Sequence, residues 1–209
     1  MPLAVDQLHS RAKSLSARFR EEGGRSYLDQ AIVLDRETLE LCPPGYPERD
    51  VSLWMLALHL AKRYNQLGAM EDINEAIVLD RDALALRPPG HPDRSMSVHN
   101  LAVDLSARFK QLGAMEDLNE AIHLERDALA LHPPGHPDRS MSLNNLAVHF
   151  SIRYTELGAM EDLNEAIVLT RDALALCPRG HPHSFNIFEQ PRSLSLRSVQ
   201  PAWGDGGPQ

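Results

Sequence analysis

The chain has 209 residues, few aromatics, abundant leucine and alanine, and a formal charge of −8 with no run of Lys or Arg. That balance excludes a nucleic-acid surface, which needs a basic stripe to displace counterions. No apolar stretch is long enough to span a bilayer, and Met1-Pro2-Leu3-Ala4-Val5-Asp6-Gln7 lacks the basic head and apolar core of a signal peptide.

One phrase sets the order of elements. Pro43-Pro44-Gly45-Tyr46-Pro47-Glu48-Arg49 returns 45 residues on as Pro88-Pro89-Gly90-His91-Pro92-Asp93-Arg94, then as Pro133 to Arg139, then as Pro178-Arg179-Gly180-His181-Pro182. A fixed period of this size marks a repeat array, in which no unit buries its apolar face alone. The spacing predicts four helix pairs in chain order: 3–22 with 25–41, 47–67 with 70–86, 92–112 with 115–131, and 137–157 with 160–176. In the third pair, Pro92 suits the first helical position. Val98, Leu101, Ala102, Leu105 and Phe109 recur at three- and four-residue steps, and Gly113 is placed as a left-handed cap. Leu118, Ala121, Ile122, Leu124, Ala128, Leu129 and Leu131 form the second stripe, which Pro133-Pro134-Gly135 ends. The opening helix carries Arg11 where later copies have Leu56, Leu101 and Leu146, as a polar terminal cap would.

These patterns imply an all-α, right-handed α-solenoid of four antiparallel helix pairs over residues 1–182, with repeats at about 2–46, 47–91, 92–136 and 137–182. Residues 183–209 leave the pattern, with Pro191, Pro201, Pro208 and Gly204-Asp205-Gly206-Gly207, and read as an irregular or disordered tail. Phe185, Ile187 and Phe188 could fold over the last helix. The abrupt end suggests a fragment of a longer array, with an uncapped face that favours self-association. Cys42 and Cys177 lie three repeats apart, far beyond the roughly 7 Å limit for a bridge. They read as free thiols of a reducing compartment, the cytoplasm.

The spacing of Ala166, Ala173 and Pro178, with Leu146-Ala147 before them, resembles the tetratricopeptide (TPR) consensus. Gly135-His136-Pro137-Asp138 running into Asn144-Asn145-Leu146-Ala147 is similar to the long TPR repeats of kinesin light chains. The full repeat, with its Leu-Gly, Asp-Leu-Asn-Glu-Ala-Ile and Pro-Pro-Gly-His-Pro-Asp-Arg phrases, is most similar to fungal arrays that often precede a caspase-like CHAT protease domain. The likeness covers about residues 10–182. No such protease domain is present, and the first helix of each pair is about two turns longer than in the commonest 34-residue TPR.

Copies three and four agree at about three-quarters of their positions, so their differences are informative. Second helices are nearly constant, and first helices vary at particular places: Trp54, His99, Asn144; Met55, Asn100, Asn145; Lys62, Ala107, Ile152. By the resemblance, this face lines a concave groove, and Asn100 and Asn145 would bond the backbone of a bound peptide. Trp54 and Met55 would be apolar anchors, and Lys62 and His99 polar selectors. With Leu58, Val103, Asn144, Val148 and Ile152 they make the candidate peptide-binding set. The competing reading is drift on a solvated face.

Other chemistry is thin. His132 and His136 straddle a helix end and a turn, so the spacing does not make the rings converge, and no metal or cofactor is expected. Arg18, Arg63, Arg108, Arg153 and Arg36, Arg81, Arg126, Arg171 recur in every copy among acids and read as ion pairs rather than a phosphate ladder. Ser95 and Ser97 read as helix caps. No nucleophile with a paired base and no phosphate-binding glycine loop occurs, so the chain is not read as an enzyme. The function expected is a protein- or peptide-binding scaffold. Two alternatives remain: a sensing arm of a CHAT-protease-like effector, or a spacer with an empty groove.

Overall fold

The computed structural model describes residues 2–176, and all regular structure among them is helical. The helices are α1 (Pro2–Glu22), α2 (Arg25–Leu41), α3 (Arg49–Leu67), α4 (Met70–Ala85), α5 (Arg94–Leu112), α6 (Met115–Ala130), α7 (Arg139–Leu157) and α8 (Met160–Leu176). Packing is densest within each pair, then between the second helix of one pair and the first helix of the next, and α3 also touches α5. This is an all-α solenoid of helix pairs. The expectations for the tail and for Cys177 lie outside the described residues.

The Leu-Gly turns behave as read. Gly68, Gly113 and Gly158 each sit at φ 68°, and each N–H bonds the carbonyl of Tyr64, Phe109 or Tyr154 at 2.7 Å. A Cβ would be strained in this left-handed conformation.

The start of each later first helix differs from expectation. Helices α3, α5 and α7 begin at Arg49, Arg94 and Arg139, two residues after the proline. The Arg94 N–H instead bonds the His91 carbonyl at 3.1 Å, so Pro92 and Asp93 form a separate turn. The arginine then reaches back: Arg139 donates to the His132 carbonyl at 2.6 Å and Arg49 to that of Cys42 at 2.5 Å, while Arg94 bonds that of Arg87. The recurring arginine thus satisfies a carbonyl just past the preceding second helix, one that lacks a helical partner.

The serines are not caps. The residues before α3, α5 and α7 (Glu48, Asp93 and Asp138) make no side-chain cap bond, and Ser52, Ser97 and Ser142 are buried. Ser97 Oγ accepts from Arg87 Nη1 at 2.7 Å, Ser142 Oγ lies 2.7 Å from His132 Nδ1, and Ser52 Oγ lies 3.4 Å from Cys42 Sγ. The buried serine meets the residue ten positions before it, at the junction between repeats.

The core crosses repeat boundaries. Ile73 and Ile77 of α4 cluster with Leu101, Ala102 and Leu105 of α5 and Ala121 of α6. Phe109, Leu118 and Ile122 cluster with Leu143, Leu146 and Phe150 of α7. Each second helix is therefore completed by the next repeat. Ile32, Ile77 and Ile122 are at most 3% exposed, whereas Ile167 of α8, which no later described helix covers, is 40% exposed.

Candidate functional site

The first helices lie side by side and are tied laterally. Tyr64 OH donates to the Ala107 carbonyl at 3.2 Å, and Lys62 Nζ donates to Ser16 Oγ at 2.8 Å. From the end of α3 across the second halves of α5 and α7 runs a cavity of about 400 Å³. Val103, Ala107, Val148 and Ile152 supply apolar surface, and Asn65, Lys110 and Gln111 supply polar groups. The Ser106 hydroxyl, which also lines it, is buried without a hydrogen-bond partner among the described residues. His149 completes the lining; its Nδ1–H donates to the Asn145 carbonyl at 2.8 Å, and burial lowers its pKa.

This geometry divides the candidate residues. Val103, Val148 and Ile152 line the cavity. Leu58, Asn100 and Asn144 are half-buried beyond it. Met55 is only 2% exposed, so it is a core residue and not an anchor. A flexible apolar side chain gains by turning inward where asparagine, at the same position of the next two repeats, stays half-exposed.

Trp54 is half-buried against the core around Leu53, Leu56 and Leu60, and the Arg87 guanidinium lies 5.9 Å from its ring centroid. His99 Nδ1 lies 2.7 Å from Glu125 Oε1 and 3.0 Å from Asn145 Nδ2, and its tautomer decides whether it donates to the carboxylate or accepts from the amide. Asn145 thus lies against His99 rather than standing free. Lys62 is half-buried with its pKa lowered, first by burial and then by Arg20.

Sequence reasoning missed Asn65, Lys110 and Gln111, about one turn farther along the same stripe, together with Ser106 beside Ala107 and Tyr64 at the position of core residue Phe109. The signal was available: extending the Lys62–Ala107–Ile152 line by three or four residues reaches Asn65, Lys110 and Gln111.

Beneath this face, the first two junctions between repeats each bury a polar pair. Asp35 of α2 holds His59 of α3, Oδ2 to Nδ1 at 2.5 Å, with both side chains at most 1% exposed. One repeat on, these positions carry Asp80 and Asp104, so two carboxyls meet in the interior. Burial and then the facing Asp104 charge push Asp80 up to about 8; burial pushes Asp104 up to about 7. A proton shared between the two is the physical consequence. In the third repeat Glu125 stands at the Asp80 position and pairs with His99 of α5, inside its own repeat.

Of the repeated arginines, Arg18, Arg36, Arg63, Arg81, Arg108 and Arg153 are engaged as ion pairs within or between repeats. Arg36 reaches Glu75 at 2.8 Å and Arg81 reaches Glu120 at 2.7 Å, each across a repeat boundary. No helix among the described residues is long and apolar enough to cross a membrane.

No family model matches the chain, and no curated protein matches it. Solved structures do. A crystal structure of nearly identical TPR-like repeats from a "putative kinesin light chain" of Podosopora anserina superposes with a TM-score of 0.63 at 20% identity, covering 88% of this chain and 82% of that one. A single-substitution variant of those repeats gives the same TM-score at 21% identity, with the same coverage. At that identity the likeness concerns the fold alone: the chain is a solenoid of helix pairs arranged as in those TPR-like repeats.

Proposed function

We propose that this chain is a non-catalytic scaffold or adaptor that binds an extended protein segment across the first helices of repeats two to four. The observation that supports it most is the cavity spanning α3, α5 and α7. Its apolar floor of Val103, Ala107, Val148 and Ile152 suits alternate side chains of a ligand. Asn65, Gln111, Lys110 and the unpartnered Ser106 hydroxyl suit its backbone and polar groups. Small residues such as Ala107 keep the floor open. TPR-like architecture, which presents an extended surface rather than an enclosed pocket, supports binding over catalysis. Cys42, buried and unbridged, supports a reducing compartment, the cytoplasm.

The test is selection of peptides from a random display library on the full chain, followed by affinity measurement with the double variant Val103→Glu, Ile152→Glu. Val103 is exposed and Ile152 half-buried, so helicity by circular dichroism should be retained. Loss of binding by about tenfold or more supports the cavity as the site. Selected peptides that bind both proteins equally would move the site elsewhere.

A further inference from the structure

The turn between α6 and α7 brings together three side chains whose sequence spacing did not predict convergence. The rings of His132 and His136 stack with centroids 4.3 Å apart and planes 20° from parallel. His136 Nδ1 accepts the Asp138 backbone N–H at 3.2 Å and lies 3.9 Å from Asp138 Oδ2. One ligand atom from each of His132, His136 and Asp138 lies within 4.8 Å of the other two.

The preceding repeat isolates what is new here. Its turn is the same, with the Asp93 N–H donating to His91 Nδ1 at 3.1 Å, but Arg87 stands where the third repeat has His132. Arg87 is buried on Asp50 Oδ2 at 2.7 Å, and the position corresponding to Asp50 is Ser95 in the third repeat. The acid that holds a guanidinium has gone together with the guanidinium. An imidazole, which can ligate, replaces a cation, which cannot.

We propose that His132, His136 and Asp138 form a site for a divalent transition metal of the zinc class, tying the end of α6 to the start of α7. Two imidazole nitrogens and a carboxylate oxygen are a donor set zinc accepts, with a fourth position left for water. His132 carries the support such a ligand needs. It is buried, and Nδ1 is engaged with Ser142 Oγ at 2.7 Å, which fixes the ring and leaves Nε2 for the metal. His136 and Asp138 keep substantial exposure, 35% and 55% of their side chains, so His136 has room to turn out of its stack and give up the Asp138 N–H bond, as ligation requires, and Asp138 to close onto the same ion. The chain's register gives a second, sequence-level indication: 45 residues on, the same three positions hold Cys177, His181 and His183, again three zinc-type ligands.

The experiment is calorimetric titration of zinc chloride into the full chain, in a background of Cys177→Ser, His181→Ala and His183→Ala that removes the register-matched set. The expected result is saturable binding near one equivalent, weakened about tenfold or more by each of His132→Gln, His136→Gln and Asp138→Asn. Cobalt in place of zinc should give the visible absorption of an N/O-ligated site, lost in the same variants. Asp138→Asn alters an exposed side chain and should keep wild-type helicity, so its effect is separable from misfolding. Absence of saturable binding, or zinc affinity and stoichiometry unchanged in the equally helical Asp138→Asn and His136→Gln proteins, overturns the proposal.

Discussion

Arg108 closes on Asp117 with two arms of its guanidinium, Nε to Oδ2 and Nη2 to Oδ1, both at 2.7 Å. Its third nitrogen reaches Asn74 of the preceding repeat at 3.2 Å. The same fork recurs as Arg63–Asp72 and Arg153–Asp162, each with a third contact one repeat back, to Asp29 and Asn119. One side chain therefore fixes the angle within a helix pair and the spacing to the pair before it. The first repeat lacks the fork: Tyr27 occupies the position of Asp72, and Arg18 stacks on its ring at 4.5 Å while bonding Glu22.

The fork should be worth more than an ordinary surface pair. Both partners are largely covered, with side-chain exposure of 22% and 8% for Arg108 and Asp117. Arg108→Ala is expected to destabilise by about 1.5–3 kcal/mol, read from the urea midpoint. Arg108→Lys restores the charge without the planar fork and should recover only part of that. A midpoint equal to wild type in Arg108→Ala would remove the fork from the account of stability.

Arg87 is a buried cation whose removal strands an anion. Its side chain is 1% exposed and holds Asp50, with Ser97 on the other side. Arg87→Met is expected to cost about 3–5 kcal/mol, because Asp50 loses its counter-charge in a covered site. Adding Asp50→Asn to Arg87→Met should recover part of the loss. Thermal melts of both variants test this; a double variant no more stable than the single one would contradict the stranded-charge explanation.

The Asp80–Asp104 junction should make stability fall as the solution turns alkaline. In the unfolded chain both carboxyls titrate near their ordinary value of 3.8, whereas in the fold Asp80 is raised to about 8 and Asp104 to about 7. Between those limits the folded state binds more protons, so this contribution is full below the ordinary value and is lost as pH rises through neutrality. Arg87 lowers Asp80 and His99 lowers Asp104, which limits the effect without reversing it. The buried His9 and His149, lowered from 6.5, act oppositely: their contribution is present above 6.5 and is lost as pH falls. Asp104→Asn, which cannot ionise, should reduce the loss of melting temperature between about pH 6 and pH 9. An unchanged pH profile in that variant would mean the pair does not control it.

Ala121 of α6 is fully buried, in the cluster that also holds Leu101, Ala102 and Leu105 of α5. Ala121→Leu should overpack this crossing and cost about 1–3 kcal/mol in chemical denaturation. The same change at Ala166, in the last described helix, should cost less, because no further described repeat packs on that side. Equal losses at both positions would show that the neighbouring repeat does not tighten the crossing.

Much of the solenoid was legible because its signals are local and repeated. Gly113 needs only its own backbone to end a helix, and the stripe of Leu101, Leu105 and Phe109 needs only helical spacing to mark a core face. The start of α5 was misplaced because Pro92 suits a turn as well as a first helical residue, and the serines were misread because Ser97 finds a partner ten residues back rather than in its own first turn. Of the candidate groove residues, Val103, Val148 and Ile152 line the cavity, whereas Met55 turns inward and Asn145 lies against His99.

The sequence by itself determined the number, order and pairing of the helices and the exchange of core between repeats, since period, apolar spacing and Gly-Pro punctuation act over a few residues. Tertiary structure alone decided which polar side chains are spent on the array and which stay available. Position 87 or 132 becomes a buried salt bridge or a stacked histidine according to what stands at 50 or 95, and two carboxyls meet at 80 and 104 only because α4 lies on α5. Those outcomes depend on contacts between neighbouring repeats, where burial makes each unmatched charge costly and each match specific.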